Sequence, residues 1–241
     1  MERIQKILSA GGYCSRRDAE RLIKEGRVKV NNKVAVIGEK ATVKDEFKVD
    51  DQLISLVKEK KYYILNKPKG YICSNVDAQN KRVVDLINND TYLFTVGRLD
   101  VNTTGLIIVT NDGEFSRKIE SPSSNVPKTY IAKVNKVISK TMLEKLKEGV
   151  VILDNYKTLP LQYAEVMRKD KKRNESSVKL VLTEGKKNQI KLMFSAIGVE
   201  VINLTRVKIG NIKLHDAKLG DYRKLSKDEV NDLLRLSSQK K

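Results

Sequence analysis

"GRLDVNTTGLIIVTNDGEF", Gly97–Phe115, decides how this sequence is read. An apolar run, Leu106-Ile107-Ile108-Val109, is bounded by turn formers: Asn102-Thr103-Thr104-Gly105 before it and Asn111-Asp112-Gly113 after it. A short apolar run between turn signals reads as a core strand, here Leu106 to Thr110. Asp100 stands four residues ahead of Thr104, at the edge of the core, with Arg98 two residues before it. A carboxylate there has two readings: it caps a turn through its own backbone, as Asp often does, or it serves chemistry.

Working outward, strand patterns recur at Tyr62–Leu65, Tyr92–Val96, Tyr130–Val134 and Val178–Leu182. Helices interrupt them. Ser139 is the expected cap of a helix over 140–148 that Gly149 stops; Ile190, Met193, Phe194 and Ile197 share one helical face ahead of Gly198; Ser226 to Glu229 form a capping box ahead of Val230, Leu233 and Leu234. Arg168 to Ser177 is polar enough to expect a surface loop. Strands outnumber helices without βαβ alternation, which predicts an α+β fold with a mixed, mainly antiparallel sheet.

The first 56 residues form a smaller unit. Ile4, Ile7 and Leu8 have helical spacing. Ser15 to Asp18 resembles a capping box ahead of a second helix with Ala19, Leu22 and Ile23 inward. Val28 to Val30 and Val34 to Val36 flank an Asn31-Asn32 turn. Residues 57–61 read as a charged linker and 62–241 as the larger domain. Arg16, Arg17, Lys24, Arg27 and Lys29 cluster on the second helix and the strand after it, a pattern that suits either phosphate contacts or a solvated face.

Composition narrows the function. The 241 residues carry 48 basic and 30 acidic side chains, a net charge of +18, the footprint of a protein that meets a polyanion. The excess is +4 over residues 1–60, +2 over 61–130 and +12 over 131–241, so it is not a basic tail on a neutral body. Lysine-rich surfaces also serve solubility, and Lys outnumbers Arg 35 to 13. No run of 18 apolar residues and no secretory leader is visible, so a cytoplasmic protein without a membrane association is expected. Cys14 and Cys73 lack CxxC spacing and His215 is the single histidine; neither a disulfide framework nor a metal site is expected. Phosphate-loop, GxSxG, HExxH and dinucleotide fingerprints are absent.

Several separated motifs change the weight of the readings. "SRRDAERLIKEGRVKVNNK" (15–33) resembles an S4 RNA-binding domain. "NKPKGY" (66–71), the opening stretch around Asp100, "KTY" (128–130), "EGKKNQIKLMFSAIG" (184–198) and "LTRVKIG" (204–210) resemble, in order, the catalytic motifs of the ribosomal-RNA pseudouridine synthases of the RsuA/RluB family. The resemblance spans nearly the whole chain. It implies a small N-terminal S4-like RNA-binding domain ahead of a larger catalytic domain of pseudouridine synthase fold. It implies a reaction without cofactor or metal, and a ribosomal RNA partner, free or in assembly intermediates. A monomer is expected.

By resemblance, Asp100 is the group that acts on a flipped-out uridine, and Tyr130 lies against the uracil; a strand aromatic in the core is the other reading of Tyr130. The family's arginine after Gln-Ile is here Lys191, which keeps the positive charge but not a planar fork. The next position, often basic in the family, is Leu192. A carboxylate acting at the sugar must be ionised, and a neighbouring cation favours that form. Lys67, Arg98, Gln189 and Arg206, with the basic cluster of the first unit, are the expected RNA contacts. A non-catalytic RNA-binding or ribosome-assembly factor retaining the fold is the alternative, and the Lys191 and Leu192 departures are what favour it.

Overall fold

A computed structural model describes residues 1–56, 59–75, 79–121, 123–213 and 216–239. Val57 and Lys58 of the expected linker, and His215, lie outside the described residues.

The N-terminal unit has β1 (Glu2–Arg3), α1 (Ile4–Ala10), α2 (Arg16–Lys24), β2 (Val28–Val30), β3 (Lys33–Val34), β4 (Lys40–Ala41), β5 (Phe47–Val49) and β6 (Gln52–Leu53). Strands β3-β2-β5-β6 form an antiparallel sheet, and β1 pairs with β4. Ile4, Ile7 and Leu8 of α1 and Ala19, Leu22 and Ile23 of α2 close over Val28, Phe47 and Val49. Ser15 caps α2 by accepting from Asp18 N at 3.0 Å. The Asp18 carboxylate meets the Ser15 hydroxyl at 2.6 Å, not its N–H, so the expected capping box is half made. Asn31 and Asn32, at φ 48° and 64°, turn the hairpin.

The larger unit adds β7 (Tyr62–Lys67), β8 (Phe94–Val96), β9 (Thr104–Thr110), α3 (Gly113–Glu120), β10 (Lys128–Val134), α4 (Lys140–Glu148), β11 (Tyr163–Asp170), β12 (Glu175–Leu182), α5 (Gln189–Ala196), β13 (Val201–Ile209), β14 (Ile212–Lys213), β15 (Tyr222–Lys224) and α6 (Lys227–Ser238). Its sheet runs β11-β12-β10-β13-β9-β7-β15, with β14 on β13 and β8 on β9. Only the β9–β13 pairing is parallel among these strands, so the sheet is mixed and mainly antiparallel.

The run that opened the sequence reading is the buried middle of this sheet. All seven residues of β9 are buried. Ile107 and Val109 face a core that includes Leu146 of α4 and Phe194 of α5; Leu106 and Ile108 face another that includes Phe115 of α3 and Leu233 of α6. A strand covered on both faces is apolar without alternation.

The loop expected over residues 168–177 is instead a hairpin: β11 and β12 stay paired up to Asp170↔Glu175, leaving only 171–174 as the turn, with Asn174 at φ 52°. Ser176 is buried and alternates with half-buried polar neighbours, so a two-residue period was present but without apolar side chains to mark it.

Candidate active site

Asp100 sits in a turn immediately ahead of β9, closed by Thr103 N donating to Asp100 O at 3.0 Å. The turn is shaped from below by Lys67, the last residue of β7, which is 0% exposed. Its ammonium donates to the carbonyls of Pro68 (3.0 Å), Val101 (3.1 Å) and Thr103 (3.0 Å). Gly70 N donates to Val101 O as well. Burial lowers the Lys67 pKa. The NKPKGY segment is therefore a brace under the Asp100 turn.

Gly105 allows the other support. Its φ is +105°, and a Cβ there would lie 2.2 Å from Arg206 O and 2.7 Å from Arg206 N. Only a glycine lets β9 run this close beside β13.

The Asp100 carboxylate faces α5. Lys191 Nζ lies 3.2 Å from Asp100 Oδ2, and both side chains are about one-third exposed, at 36% and 38%. Asn188, in the left-handed conformation ahead of α5, meets the same carboxylate. With its amide nitrogen turned towards Asp100, as the surrounding donors and acceptors require, the contacts are 2.7 Å to Oδ2 and 3.2 Å to Oδ1. Two donors on one carboxylate fix its orientation.

A pocket of about 350 Å³ opens above this pair, lined by Arg98, Asp100, Tyr130, Asn188, Lys191 and Leu204 among others. The volume is in the range of small-ligand sites. Tyr130, 9% exposed, stands on β10 opposite Leu180 and Arg206. Arg206, 3% exposed, donates Nε to Leu106 O at 2.6 Å and aligns Nη1 with the Tyr130 hydroxyl at 3.4 Å. Its Nη2 is buried without a partner. No carboxylate lies within ion-pair distance of this guanidinium among the described residues.

The expected RNA contacts divide on exposure. Arg98 is exposed at the pocket mouth, and Arg16, Arg17 and Lys24 are exposed on α2. Arg27 is engaged by Asp50 and Glu25, and Lys29 by Asp51 at 2.5 Å. Lys67, Gln189 and Arg206 are all buried, and of the three Gln189 lines the pocket. Lys67 braces the turn, Arg206 backs Tyr130, and Gln189 accepts from Lys186 N at 2.9 Å while its amide donates to Glu184. Their motif positions gave no sign of which way they pointed.

Three participants escaped the sequence reading. Asn188 is one; its place just before a helix was the only local signal. Cys73 Sγ lies 3.4 Å from both Leu99 N and Leu99 O, holding the loop segment just ahead of Asp100. Lys128 is half-buried, and burial, then the nearby Arg206 charge, bring its pKa down to about 8. Among the described residues no three His, Cys, Asp or Glu side chains gather as metal ligands do, and no helix is long and apolar enough to cross a membrane.

Comparison with known proteins is decisive at this point. Residues 61–196 match the RNA pseudouridylate synthase family and residues 2–51 the S4 domain. The chain is 40% identical to ribosomal large subunit pseudouridine synthase B of Bacillus subtilis, over 100% of this chain and 99% of that one. The chain belongs to the RNA pseudouridylate synthase family. It is also 34% identical to the dual-specificity RNA pseudouridine synthase RluF of Escherichia coli, over 97% of this chain and 79% of that protein. A crystal structure of a pseudouridylate synthase, 30% identical, superposes with a TM-score of 0.70 over 97% of this chain and 100% of the other. This synthase is thus an enzyme that isomerises uridine in RNA, with an N-terminal S4 domain; the non-catalytic alternative is set aside.

Proposed function

We propose that this synthase converts a specific uridine of ribosomal RNA to pseudouridine, with Asp100 acting at the ribose. The Asp100–Lys191 contact at the base of an aromatic-walled pocket carries the reading. The ribosomal names of its relatives support the choice of RNA. The division at residues 1–56 and 62–241 belongs to the same proposal: the first unit grips RNA and the second carries the chemistry.

The reaction breaks the N1–C1′ bond, turns the uracil and joins C5 to C1′; the proton on C5 leaves to solvent and N1, freed of the sugar, takes up a proton. Uridine and pseudouridine are thus isomers, with no net change of atoms or charge. A uridine in a helix or stack is out of reach, so the base must be extruded into the pocket. Tyr130 then lies against the uracil. Arg206 holds the Tyr130 hydroxyl from behind, a positioning role, since the guanidinium is sealed from the pocket by burial. Lys191 and Asn188 hold the Asp100 carboxylate from one side and aim it at the sugar. Lys191 supplies the charge of the family's arginine from a single ammonium, and Asn188 supplies a second donor beside it. Arg98 at the mouth is set to meet a phosphate.

Pseudouridine mapping across ribosomal RNA from cells with and without this protein tests the reading. A single uridine that loses its modification in the deletion strain is the expected result. An unchanged map would overturn the ribosomal assignment.

A further inference from the structure

The geometry points to a second RNA-contacting surface, the tip of the β11–β12 hairpin, which takes phosphates of the RNA lying outside the reaction pocket. This rests on the reading of the chain as an enzyme of ribosomal RNA. Arg168, Lys169, Lys171, Lys172 and Arg173 supply five cations in six positions, and all five are exposed. Among the described residues none of the five is in an ion pair. Three exposed arginines elsewhere are closely neutralised, Arg27 by Asp50 at 2.6 Å, Arg223 by Glu229 and Arg235 by Asp232 each at 2.7 Å, whereas the exposed arginines without an ion pair, such as Arg16, Arg17 and Arg98, do not gather five cations in six positions as the hairpin tip does.

The two carboxylates near the tip are already occupied. Asp170 Oδ1 accepts from Arg173 N at 3.1 Å, and Glu175 is paired with Lys133 at 2.7 Å. Residues 168–175 thus hold five positive and two negative charges, a net of +3 in eight residues. Residues 16–25, the basic helix of the S4 domain with its C-cap, hold four and three, a net of +1. The hairpin tip is the denser cationic surface of the two.

Lysines on an edge strand also deter strand pairing between molecules, and β11 is an edge. That role needs charge along the strand. Residues 163–167 of β11 carry no cation: they are Tyr163, Ala164, Glu165, Val166 and Met167. The positive charge begins at Arg168, where a register shift between Val166 and Arg168 breaks the ladder, and is densest in the turn beyond it. There Lys133, Arg168 and Arg173 converge on one shallow recess of about 100 Å³, which Asp170 and Glu175 also border. Charge gathered beyond the ladder suits a polyanion and does little for the edge.

Reach agrees. Tyr130 faces Leu180 in the ladder, and five residues of β12 separate Leu180 from Glu175, about 17 Å of strand. The turn projects further. A nucleotide held at Asp100 and phosphates held at the tip are therefore several nucleotides apart, in the same RNA. Phosphate contacts of this kind carry no sequence information; they set register and add salt-dependent affinity.

The test replaces Lys171, Lys172 and Arg173 together by Gln in the full-length chain. A control triple, Lys140→Gln, Lys145→Gln and Lys227→Gln, removes the same net charge from exposed, unpaired positions elsewhere. Binding of a ribosomal RNA transcript labelled with 5-tritiated uridine is titrated against salt, and tritium release is followed on the same RNA. Each lost phosphate contact lowers the slope of log affinity against log salt by about 0.7–0.9. The hairpin triple should lose at least one such step and about fivefold in affinity per contact at 0.15 M salt relative to 1 M. Its turnover at saturating RNA should stay at the wild-type value, and the control should keep the wild-type slope. A wild-type slope in the hairpin triple, or an equal fall in the control, overturns the proposal. Absence of tritium release by the wild-type chain counts against the proposed reaction alone, because the salt slope still reads the hairpin.

Discussion

Lys128 is the first residue of the strand that carries Tyr130, and it should lower the stability of the fold. Its ammonium donates to Thr183 O at 3.2 Å and Val126 O at 3.5 Å, but burial, then the Arg206 charge, bring its pKa from 10.5 to about 8. The difference is about 2.5 units, or roughly 3 kcal/mol against the charged folded state. The sign follows from proton counts. Below about pH 8 both folded and unfolded chains hold the proton, and the full penalty applies. Between about pH 8 and 10.5 the unfolded chain binds more protons, so stability rises with pH; above that window the penalty is gone. Lys128→Met keeps the length of the side chain and removes the charge. It also leaves two carbonyls without this donor, which costs back roughly 1 kcal/mol or more. A gain of about 1–2 kcal/mol at pH 7 is expected. The assay is urea unfolding of wild type and variant at pH 7 and 9.5. The variant's advantage should shrink by roughly 2 kcal/mol between them, since other titrations cancel in the difference. A difference that does not change with pH would refute the reasoning.

Other substitutions test the supports of the site. Gly105→Ala forces a Cβ into the Arg206 backbone at a φ of +105° and should cost more than ~3 kcal/mol in thermal or urea unfolding. Lys67→Met removes its donor from three carbonyls, of which Val101 O keeps Gly70 N, and should destabilise by about 2–4 kcal/mol. It should leave the salt slope of RNA binding unchanged, as fits a buried brace; a reduced slope would return Lys67 to the RNA surface. Lys191→Met should nearly abolish tritium release while RNA binding persists, and Lys191→Arg should restore much of it. Full turnover by Lys191→Met would mean that another cation faces Asp100 in the complex.

Much of the fold was legible because its punctuation is local. Ser139 and Gly149 bound α4 as their types required, and Ser226 with Glu229 makes a complete capping box on α6. The β9 run was apolar because both of its faces are covered. The tip of the β11–β12 hairpin was hidden because residues 168–177 are polar throughout, so the alternation there had no apolar half, although Val178–Leu182 beyond it read as a strand. Strand β13 was read only as a motif, and its parallel place beside β9 depends on Gly105 more than on its own residues. In the site, motif order indicated which residues gather near Asp100 but not their depth. Lys67 and Arg206, cations by type, are buried where the backbone supplies carbonyls within reach, a circumstance no one-dimensional pattern records.

The most direct measurement concerns Asp100. Asp100→Asn keeps the size of the side chain and the turn closed by Thr103 N, at a cost of ~1 kcal/mol. It removes the charge that acts at the sugar. With ribosomal RNA labelled with 5-tritiated uridine, the variant should bind at least as tightly as wild type, because one negative charge near phosphate is gone, and should release no tritium. Release at the wild-type rate would remove Asp100 as the group that performs the chemistry.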